Sequence, residues 1–233
     1  MPDLREWLEA DGLGGFASGT ASGIRTRRYH AVLLAARRPP TERFVLVNGL
    51  EAWVETPSGR FALASHRYAP GVTHPDGAAR IASFDVSPWP TWTWRLEDGT
   101  VVAQELVVAK GAPVAYVSWR LAEPQEAVRL SVRQLLSGSG YHGLHHENGA
   151  FRFDADHVGG GLVWRPYEGV PGVEARSNGE YLHAPDWYRG FLYDEERARG
   201  LDDVEDLASP GEFRWDLSLG EAHLVLGVEG RLP

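Results

Sequence analysis

Residues 91–110 read TWTWRLEDGTVVAQELVVAK, two runs of alternating apolar and polar side chains separated by Asp98-Gly99. Alternation with a period of two is typical of a β-strand with one buried face. An Asp-Gly pair between two such runs is typical of a tight hairpin turn. This stretch therefore predicts two antiparallel strands joined at Asp98-Gly99.

Three further stretches carry the same combination of alternation and turn residues. The expected turns are Asn48-Gly49 within FVLVNGLEAWV (44–54), Pro57-Ser58-Gly59, and Asn178-Gly179. Asn-Gly between β-branched or aromatic runs is the strongest short hairpin pattern. Additional strands are predicted at 28–36, 113–121, 127–136, 150–155, 161–167, 212–219 and 221–229.

So many strands exceed what one open sheet accommodates, so we expect an all-β protein built as a large antiparallel β-sandwich of two packed sheets. Two segments depart from the alternation. DLREWLEA at 3–10 has capping-box spacing and predicts a short helix, and the acidic segment 193–213 predicts a short helix followed by a loop that ends at Pro210-Gly211. No linker or repeat divides the sequence, so residues 1–233 are interpreted as one domain.

The nine tryptophans include Trp89, Trp92 and Trp94 in the segment SPWPTWTWRL. On a strand, Trp92 and Trp94 share one face. We expect that face to pack in the core; the alternative is an exposed platform on which sugar rings stack.

The charge and composition exclude several classes of protein. A net charge of −9 argues against binding to the phosphates of nucleic acids. No apolar run approaches the roughly 18 residues that a membrane span requires, and the N-terminus lacks the features of a signal peptide, so we expect no membrane association and a cytoplasmic location. The absence of cysteine excludes disulfides and thiolate chemistry.

The glycine-rich stretch DGLGGFASGT at 11–20 contains the spacing Gly12-x-Gly14-x-x-Ala17 of a dinucleotide loop. A dinucleotide fingerprint follows a strand, opens a helix and precedes an acidic residue by about 20 positions. None of these three conditions is met here, so we expect no nucleotide cofactor and assign the glycines to backbone conformations with positive φ.

Two clusters of polar residues raise the question of catalysis. His142, His145, His146 and Glu147 lie close together in sequence, but they lack the spacing of a known zinc motif, and we expect hydrogen-bonded histidines and no metal. DDVED at 202–206 supplies the carboxylates that glycoside hydrolysis needs, although adjacent carboxylates more often form a solvated surface. No nucleophile elbow G-x-S-x-G is present.

Three segments resemble the bacterial and archaeal type of glycogen-debranching enzyme, an amylo-α-1,6-glucosidase. The first signature is EWLEADGLGGFASGTASGIRTRRYHAVLLAARRPP at 6–40, and the second is DWYRGFLYDEERARGLDDVEDLASPGEFRWDL at 186–217. YHGLHHEN at 141–148 is similar to a third, shorter segment. The resemblance extends over essentially the whole chain and agrees with an N-terminal β-sandwich of the supersandwich type.

The resemblance implies that catalysis belongs to an (α/α)6 barrel expected after residue 233, so no residue of this chain is predicted to be catalytic. The barrel, joined to the chain or separate, is the expected partner, with branched α-glucan as a further ligand. Candidate residues for a substrate or domain interface are Thr26, Arg27, Arg28, Tyr29, His30, Trp187, Tyr188, Glu205 and Asp206. Arg27 or Arg28 is expected to pair with Glu205 or Asp206. The alternatives are a stand-alone α-glucan-binding module and a structural partner of a separately encoded barrel.

Overall fold

The alternating segments of the chain form two antiparallel sheets in the computed structural model, which describes residues 2–232. The ten-stranded sheet contains β1 (Glu6–Ala10), β2 (Phe16–Thr20), β3 (Ala31–Arg38), β4 (Thr41–Thr56), β5 (Gly59–Ala62), β6 (His66–Tyr68), β7 (Val72–His74), β12 (Arg129–Gly140), β16 (Glu180–Leu192) and β17 (Val204–Asp216). The eight-stranded sheet contains β8 (Ile81–Asp85), β9 (Thr91–Arg95), β10 (Val101–Val108), β11 (Val114–Leu121), β13 (Ala155–Val158), β14 (Gly161–Trp164), β15 (Val173–Ser177) and β18 (Ala222–Val228).

The order of strands places segments distant in sequence side by side. The ten-stranded sheet runs β1-β2-β3-β4-β12-β17-β16-β6-β7, with β5 paired to β4. The eight-stranded sheet runs β13-β14-β15-β18-β11-β10-β9-β8. The predicted all-β sandwich of two packed antiparallel sheets is confirmed.

Aromatic side chains fill the space between the sheets. Trp92 and Trp94 are buried, which confirms that their shared face belongs to the core. Trp119, with no exposed surface, packs against Trp215 with 5.9 Å between ring centroids. Trp89, before β9, is 37% exposed and donates its indole N–H to Glu105 Oε2 at 2.9 Å. The core therefore follows the period-two pattern of the strands.

Two of the predicted hairpins form as expected. Asp98-Gly99 connects β9 and β10, and Asp98 Oδ1 accepts a hydrogen bond from the Thr100 N–H at 3.0 Å. Pro57-Ser58 connects β4 and β5, with Thr56 opposite Gly59. In both places the turn residues act locally, as the hairpin pattern assumes.

The hairpins predicted at the two Asn-Gly pairs do not form. Strand β4 continues through Asn48-Gly49 without a turn, because the buried Arg25 guanidinium bonds the Asn48 side chain and lies against the Cα of Gly49. Asn178-Gly179 lies between β15 of one sheet and β16 of the other, so it joins the sheets. Asn178 Oδ1 there accepts hydrogen bonds from Trp215 Nε1 and the His223 N–H, both at 2.8 Å.

The helix predicted over 3–10 was also wrong, because Glu6–Ala10 pairs with Phe16–Thr20 as strand β1. Trp7 packs edge-on against Trp92, with ring centroids 5.5 Å apart, whereas Leu8 is 58% exposed. Alternate side chains of β1 thus pack inward or face solvent, as in a strand. Tertiary packing overrides the local helical pattern.

The prediction for residues 193–213 was correct for the helix and wrong for the loop. Helix α1 (Asp194–Ala198) is present, but Val204–Asp216 is strand β17 rather than a loop. The Pro210 carbonyl accepts a hydrogen bond from the Tyr181 hydroxyl at 2.9 Å, and the pairing with β16 shifts register between His183 and Asp186. Such a bulge lets a proline lie inside a strand.

The other predicted strands are present with shifted ends. The strand expected at 28–36 occupies Ala31–Arg38. The strand expected at 150–155 was wrong, because only its last residue, Ala155, belongs to a strand, β13. Besides α1, the helical part of residues 2–232 is a 3-10 turn at Gly77–Arg80, and no helix in this range combines the length and apolar character needed to cross a bilayer.

Candidate functional site

The glycine-rich stretch of the first signature closes the hairpin between β1 and β2. Asp11 Oδ1 accepts a hydrogen bond from the Gly15 N–H at 2.9 Å. Gly12 and Gly14 have φ values of 82° and 101°, which favour glycine, and a Cβ on Gly15 would lie 2.6 Å from the Leu34 carbonyl oxygen. Strand β1 precedes the glycines, so the expectation that no strand does was wrong, but strand β2 and not a helix follows them. The glycines therefore form a compact turn.

Residues 25–30 leave that hairpin and cross to helix α1. The Glu195 N–H donates to the Thr26 carbonyl at 3.0 Å. Arg27 bonds through Nε to Glu6 Oε1 at 2.5 Å and lies 3.4 Å from Glu195 Oε2 through Nη2. These contacts tie the basic segment to β1 and to the second signature.

His30 closes the segment from inside the protein. Its Nδ1 accepts the Thr26 N–H at 3.1 Å, so the ring proton is on Nε2, which faces Glu6 Oε1 at 3.4 Å. Burial lowers the pKa of His30 to about 4. The imidazole is therefore neutral near pH 7 and holds the turn of the segment.

Arg28 forms the ion pair that joins the two signatures. Its Nη2 donates to Glu196 Oε2 at 3.0 Å across 168 residues of sequence, and its backbone N–H bonds Glu196 Oε1 at 3.3 Å. The Glu196 side chain is 1% exposed and that of Arg28 is 10% exposed. A pair this deeply buried fixes α1 against residues 25–30.

The third segment, 141–148, lies beside the same residues. Arg28 Nη1 donates to the His142 carbonyl at 2.7 Å, and the Tyr29 hydroxyl lies 3.3 Å from His142 Nδ1. The Tyr29 ring also packs on Tyr141, with centroids 5.5 Å apart. All three recognisable segments of the sequence therefore meet in one place.

Arg25, which the sequence did not single out, occupies the interior of this place. It is 7% exposed, bonds Asn48 Oδ1 through Nη1 and lies 3.3 Å from His66 Nδ1 through Nη2. Its guanidinium carbon is 4.8 Å from the centroid of the Phe191 ring. A Cβ on Gly49 would lie only 2.5 Å from Arg25 Nη1, so glycine is needed at that position.

Glu205 is buried at the other side of Asn48. Its Oε2 accepts hydrogen bonds from the Tyr193 hydroxyl and from Asn48 Nδ2, the latter at 3.1 Å, and its Oε1 accepts the His145 N–H at 2.9 Å. Burial nevertheless raises the pKa of Glu205 to about 7. Both carboxylate oxygens are thus bonded inside the protein, with 1% of the residue exposed.

Asp206 attaches the third segment to β17. Its Oδ2 accepts the Glu147 N–H at 3.1 Å, and its Oδ1 accepts the Gly190 N–H at 2.9 Å. Its backbone N–H donates to the His145 carbonyl at 2.7 Å, and its own carbonyl lies 3.0 Å from His145 Nδ1. Asp206 therefore holds the loop 141–148 against strand β17 by hydrogen bonds.

Trp187 and Tyr188 are neighbours in sequence but face opposite sides of the ten-stranded sheet. Trp187 packs toward the core side against His145, with ring centroids 5.3 Å apart, and against Phe151 at 5.4 Å. Tyr188 packs against the outer cluster of Leu135, Phe191 and Leu207. The two candidates therefore do not belong to one site.

The predicted pairing of Arg27 or Arg28 with Glu205 or Asp206 was wrong. Arg27 pairs with Glu6 and Glu195, and Arg28 pairs with Glu196. The signatures nevertheless meet, through different carboxylates. Residues 25–30, 141–148 and 193–206 together form the signature cluster.

The histidines of the third segment are not arranged as metal ligands. His145 Nε2 is 2.6 Å from the Tyr167 hydroxyl, and burial lowers the pKa of His145. His146 is exposed, with Nδ1 3.8 Å from Asp206 Oδ2. Within residues 2–232, no group of three or more histidine or acidic side chains is positioned to hold a metal ion.

Some of these partners had no signal in the sequence. Arg25 opens the basic run RTRRYH and could have been chosen with its neighbours, but Asn48 and Gly49 gave a turn pattern instead. Tyr193 and Glu196 lie within the second signature, although nothing in their spacing indicates burial.

Chemically, the interior of the signature cluster is a network of hydrogen bonds and ion pairs, within which the Arg28 Nε–H is buried without a hydrogen-bond partner. A carboxyl group with a pKa near 7 suits a general acid, but a general acid must reach the atom to which it gives its proton. Glu205 is enclosed by Tyr193, Asn48 and the backbone of His145. The arrangement is that of a scaffold, and its surface offers polar side chains to a binding partner.

The family comparison agrees with this geometry. The sequence profile of the family described as glycogen debranching enzyme N terminal matches residues 5–224, which include all three segments of the signature cluster. No curated protein matches the chain in a search of whole sequences. With nearly its entire length covered by that profile, the chain belongs to the family of glycogen debranching enzyme N-terminal domains.

Proposed function

We propose that the chain is the non-catalytic N-terminal domain of a glycogen-debranching α-1,6-glucosidase. In this role it packs against an (α/α)6 catalytic barrel in the cytoplasm and shapes the cleft that receives branched α-glucan. The observation that carries the proposal is that the three family segments meet at one surface. Arg28 and Glu196, for example, are 168 residues apart in sequence but form an ion pair there.

The exposed rim of the signature cluster supports a role in binding. The side chain of Arg27 is 24% exposed and that of Glu195 is 47% exposed, while His142 and Leu201 also reach solvent. The groups beneath them are fixed by the buried pair of Arg28 and Glu196. A hydrogen-bonded interior under a rim of exposed polar and apolar side chains is suited to hold contact residues in a defined geometry.

The burial of Glu205 and Glu196 supports the assignment of catalysis to another domain. Glycoside hydrolysis requires two carboxyl groups on either side of the scissile bond. These two side chains are instead bonded to Tyr193, Asn48 and Arg28. We therefore expect the isolated chain to release no glucose from a limit dextrin.

The direct test combines the purified chain with a separately expressed (α/α)6 barrel from a glycogen-debranching enzyme. Sedimentation should detect a complex, and glucose release should require the barrel. Arg27→Ala should weaken the complex about tenfold, which corresponds to one lost charge-assisted contact of about 1.4 kcal/mol. Arg120→Ala, on the eight-stranded sheet, serves as the matched control.

Glucose release by the chain alone would reject the proposal. Equal affinity of the barrel for the parent chain and for Arg27→Ala would also reject it. The same experiment covers a separately encoded barrel, because the two proteins are supplied as separate chains.

A further inference from the structure

The outer face of the ten-stranded sheet carries a polar and aromatic cluster that the proposed function does not use. Along β12, Val132 belongs to the core between the sheets, so its neighbour Arg133 faces outward. Arg133 lies opposite Glu51 on β4 and opposite Glu212 on β17. The outer-face cluster consists of Glu51, Tyr68, Arg133, Tyr188 and Glu212.

Its charges are compensated within the protein. Arg133 Nη2 lies 3.4 Å from Glu212 Oε2, and Arg133 Nη1 donates to the Ala184 carbonyl at 3.1 Å. Arg214 Nη2 pairs with Glu212 Oε1, so two guanidinium groups balance the Glu51 and Glu212 carboxylates. Glu51 Oε2 also lies 3.6 Å from His66 Nε2, on a ring whose pKa is lowered by burial. The side chains of Glu51, Arg133 and Glu212 are 13%, 22% and 10% exposed, so each remains within reach of a ligand at the surface.

Its two phenols, in contrast, have open hydroxyl groups. The Tyr68 ring rests on Phe191 with 4.8 Å between centroids, and the guanidinium carbon of Arg133 is 6.0 Å from the centroid of the Tyr188 ring. Both rings are half-buried and therefore fixed in position. In residues 2–232, neither phenol oxygen makes a hydrogen bond, and neither is among the fully buried unpaired atoms, so part of each oxygen is accessible to solvent.

The phenols remain neutral donors near pH 7. Burial raises the pKa of Tyr68 and of Tyr188. Each hydroxyl can therefore donate one hydrogen bond and accept others. Next to them, the Glu51 carboxylate is an acceptor and the Arg133 guanidinium is a donor.

We propose that the outer-face cluster is a second binding site, for the hydroxyl groups of a neutral saccharide chain. Compensated charges give no attraction for an anionic ligand, whereas fixed aromatic rings with open phenol, carboxylate and guanidinium groups match vicinal hydroxyls. This inference rests on the proposed function only for the identity of the sugar, an α-glucan.

The cluster lies away from the residues that the resemblance selected, apart from Tyr188. A buried chain of contacts connects it to the signature cluster, from Glu51 to His66, Arg25, Asn48 and Glu205. A glucan held on this face would thus be positioned by the same scaffold that carries the proposed barrel contact.

The test is calorimetric titration of the 233-residue chain with maltoheptaose. The double variant Tyr68→Phe, Tyr188→Phe removes both hydroxyls and keeps both rings, and we expect its affinity to fall at least tenfold. Tyr116→Phe, a 37% exposed tyrosine on the eight-stranded sheet, should bind like the parent chain. Arg133→Lys, which keeps the charge but loses the planar fork, provides a second variant if the double variant unfolds.

Absence of heat at millimolar maltoheptaose would overturn the inference, as would equal affinities in the parent and the variants. Weaker barrel binding by the double variant, without glycan binding, would identify the face as a protein interface and also overturn it. If glycan binds here but no barrel complex forms, the proposed function fails and the inference stands.

Discussion

The interior between the sheets and the interior of the signature cluster are equally well buried but are built from different chemistry. Between the sheets, Trp119, Trp215 and their neighbours pack apolar surface. In the signature cluster, Arg28, Glu196 and Glu205 are buried with hydrogen-bonded partners. Burial of the first kind is favourable for each side chain alone, whereas burial of the second kind is favourable only when every partner is present.

The largest expected effect is in the sheet interface. Trp119→Ala should lower the free energy of unfolding by about 3–5 kcal/mol, because a large fully buried side chain is replaced by a cavity. Denaturant unfolding measures this loss. Trp89→Ala, at a partly exposed tryptophan, should cost much less, and equal losses at the two positions would contradict the assignment of the core.

The next largest effect is expected when the buried ion pair of Arg28 and Glu196 is broken. Glu196→Ala leaves the Arg28 guanidinium buried without its carboxylate and should cost about 3 kcal/mol. The double variant Arg28→Met, Glu196→Leu removes both charges and should be more stable than the summed losses of the single variants Arg28→Met and Glu196→Leu predict. Strict additivity in this double-mutant cycle would show that the pair does not join the signatures energetically.

A pH dependence distinguishes Glu205. Its pKa is about 7 in the folded protein and near 4.5 in the unfolded chain, so the folded state holds a proton that the unfolded state releases between these values. The stability from this group is complete below pH 4.5 and is lost as pH rises to about 7, a change of at most roughly 3 kcal/mol. Glu205→Gln should remove this decline.

The measurement is the difference in the free energy of unfolding between the parent and Glu205→Gln from pH 4.5 to 7. His30, His66 and His145, whose pKa values are lowered by burial, give the opposite slope, but they are common to both proteins. A constant difference across this window would contradict the burial of a protonated Glu205.

The smallest effect concerns the glycine under Arg25. Gly49→Ala places a Cβ 2.5 Å from a guanidinium nitrogen that Asn48 and His66 hold in place, so we expect a loss of about 1–2 kcal/mol. Gly140→Ala, at the end of β12 with open space around it, is the control. If the two variants unfold at the same thermal midpoint, the Arg25 guanidinium is not held against Gly49.

The sheets were predictable because alternation reports directly on burial. Trp92 and Trp94 share a face in the sequence and in the structure, and the turn at Asp98-Gly99 involves only local chemistry. Strand β1 was missed because Trp7 is held by Trp92, a contact that no local pattern contains.

The signature cluster was predictable as a set of segments but not as a set of contacts. The resemblance selected Arg27, Arg28 and Glu205, yet the carboxylates that pair with the arginines are Glu6, Glu195 and Glu196. Asn48-Gly49 has ideal hairpin residues, but a buried arginine 23 positions away uses them for another purpose. Long-range polar contacts of this kind leave no periodic trace in a sequence.

The proposed function requires that the signature cluster, and not the eight-stranded sheet, faces a catalytic barrel. Hydrogen exchange of the chain with and without an added (α/α)6 barrel tests it most directly. We expect new protection in residues 25–30, 141–148 and 193–206, with little change in β8–β11. Protection confined to the eight-stranded sheet, or none at saturating barrel, would contradict it.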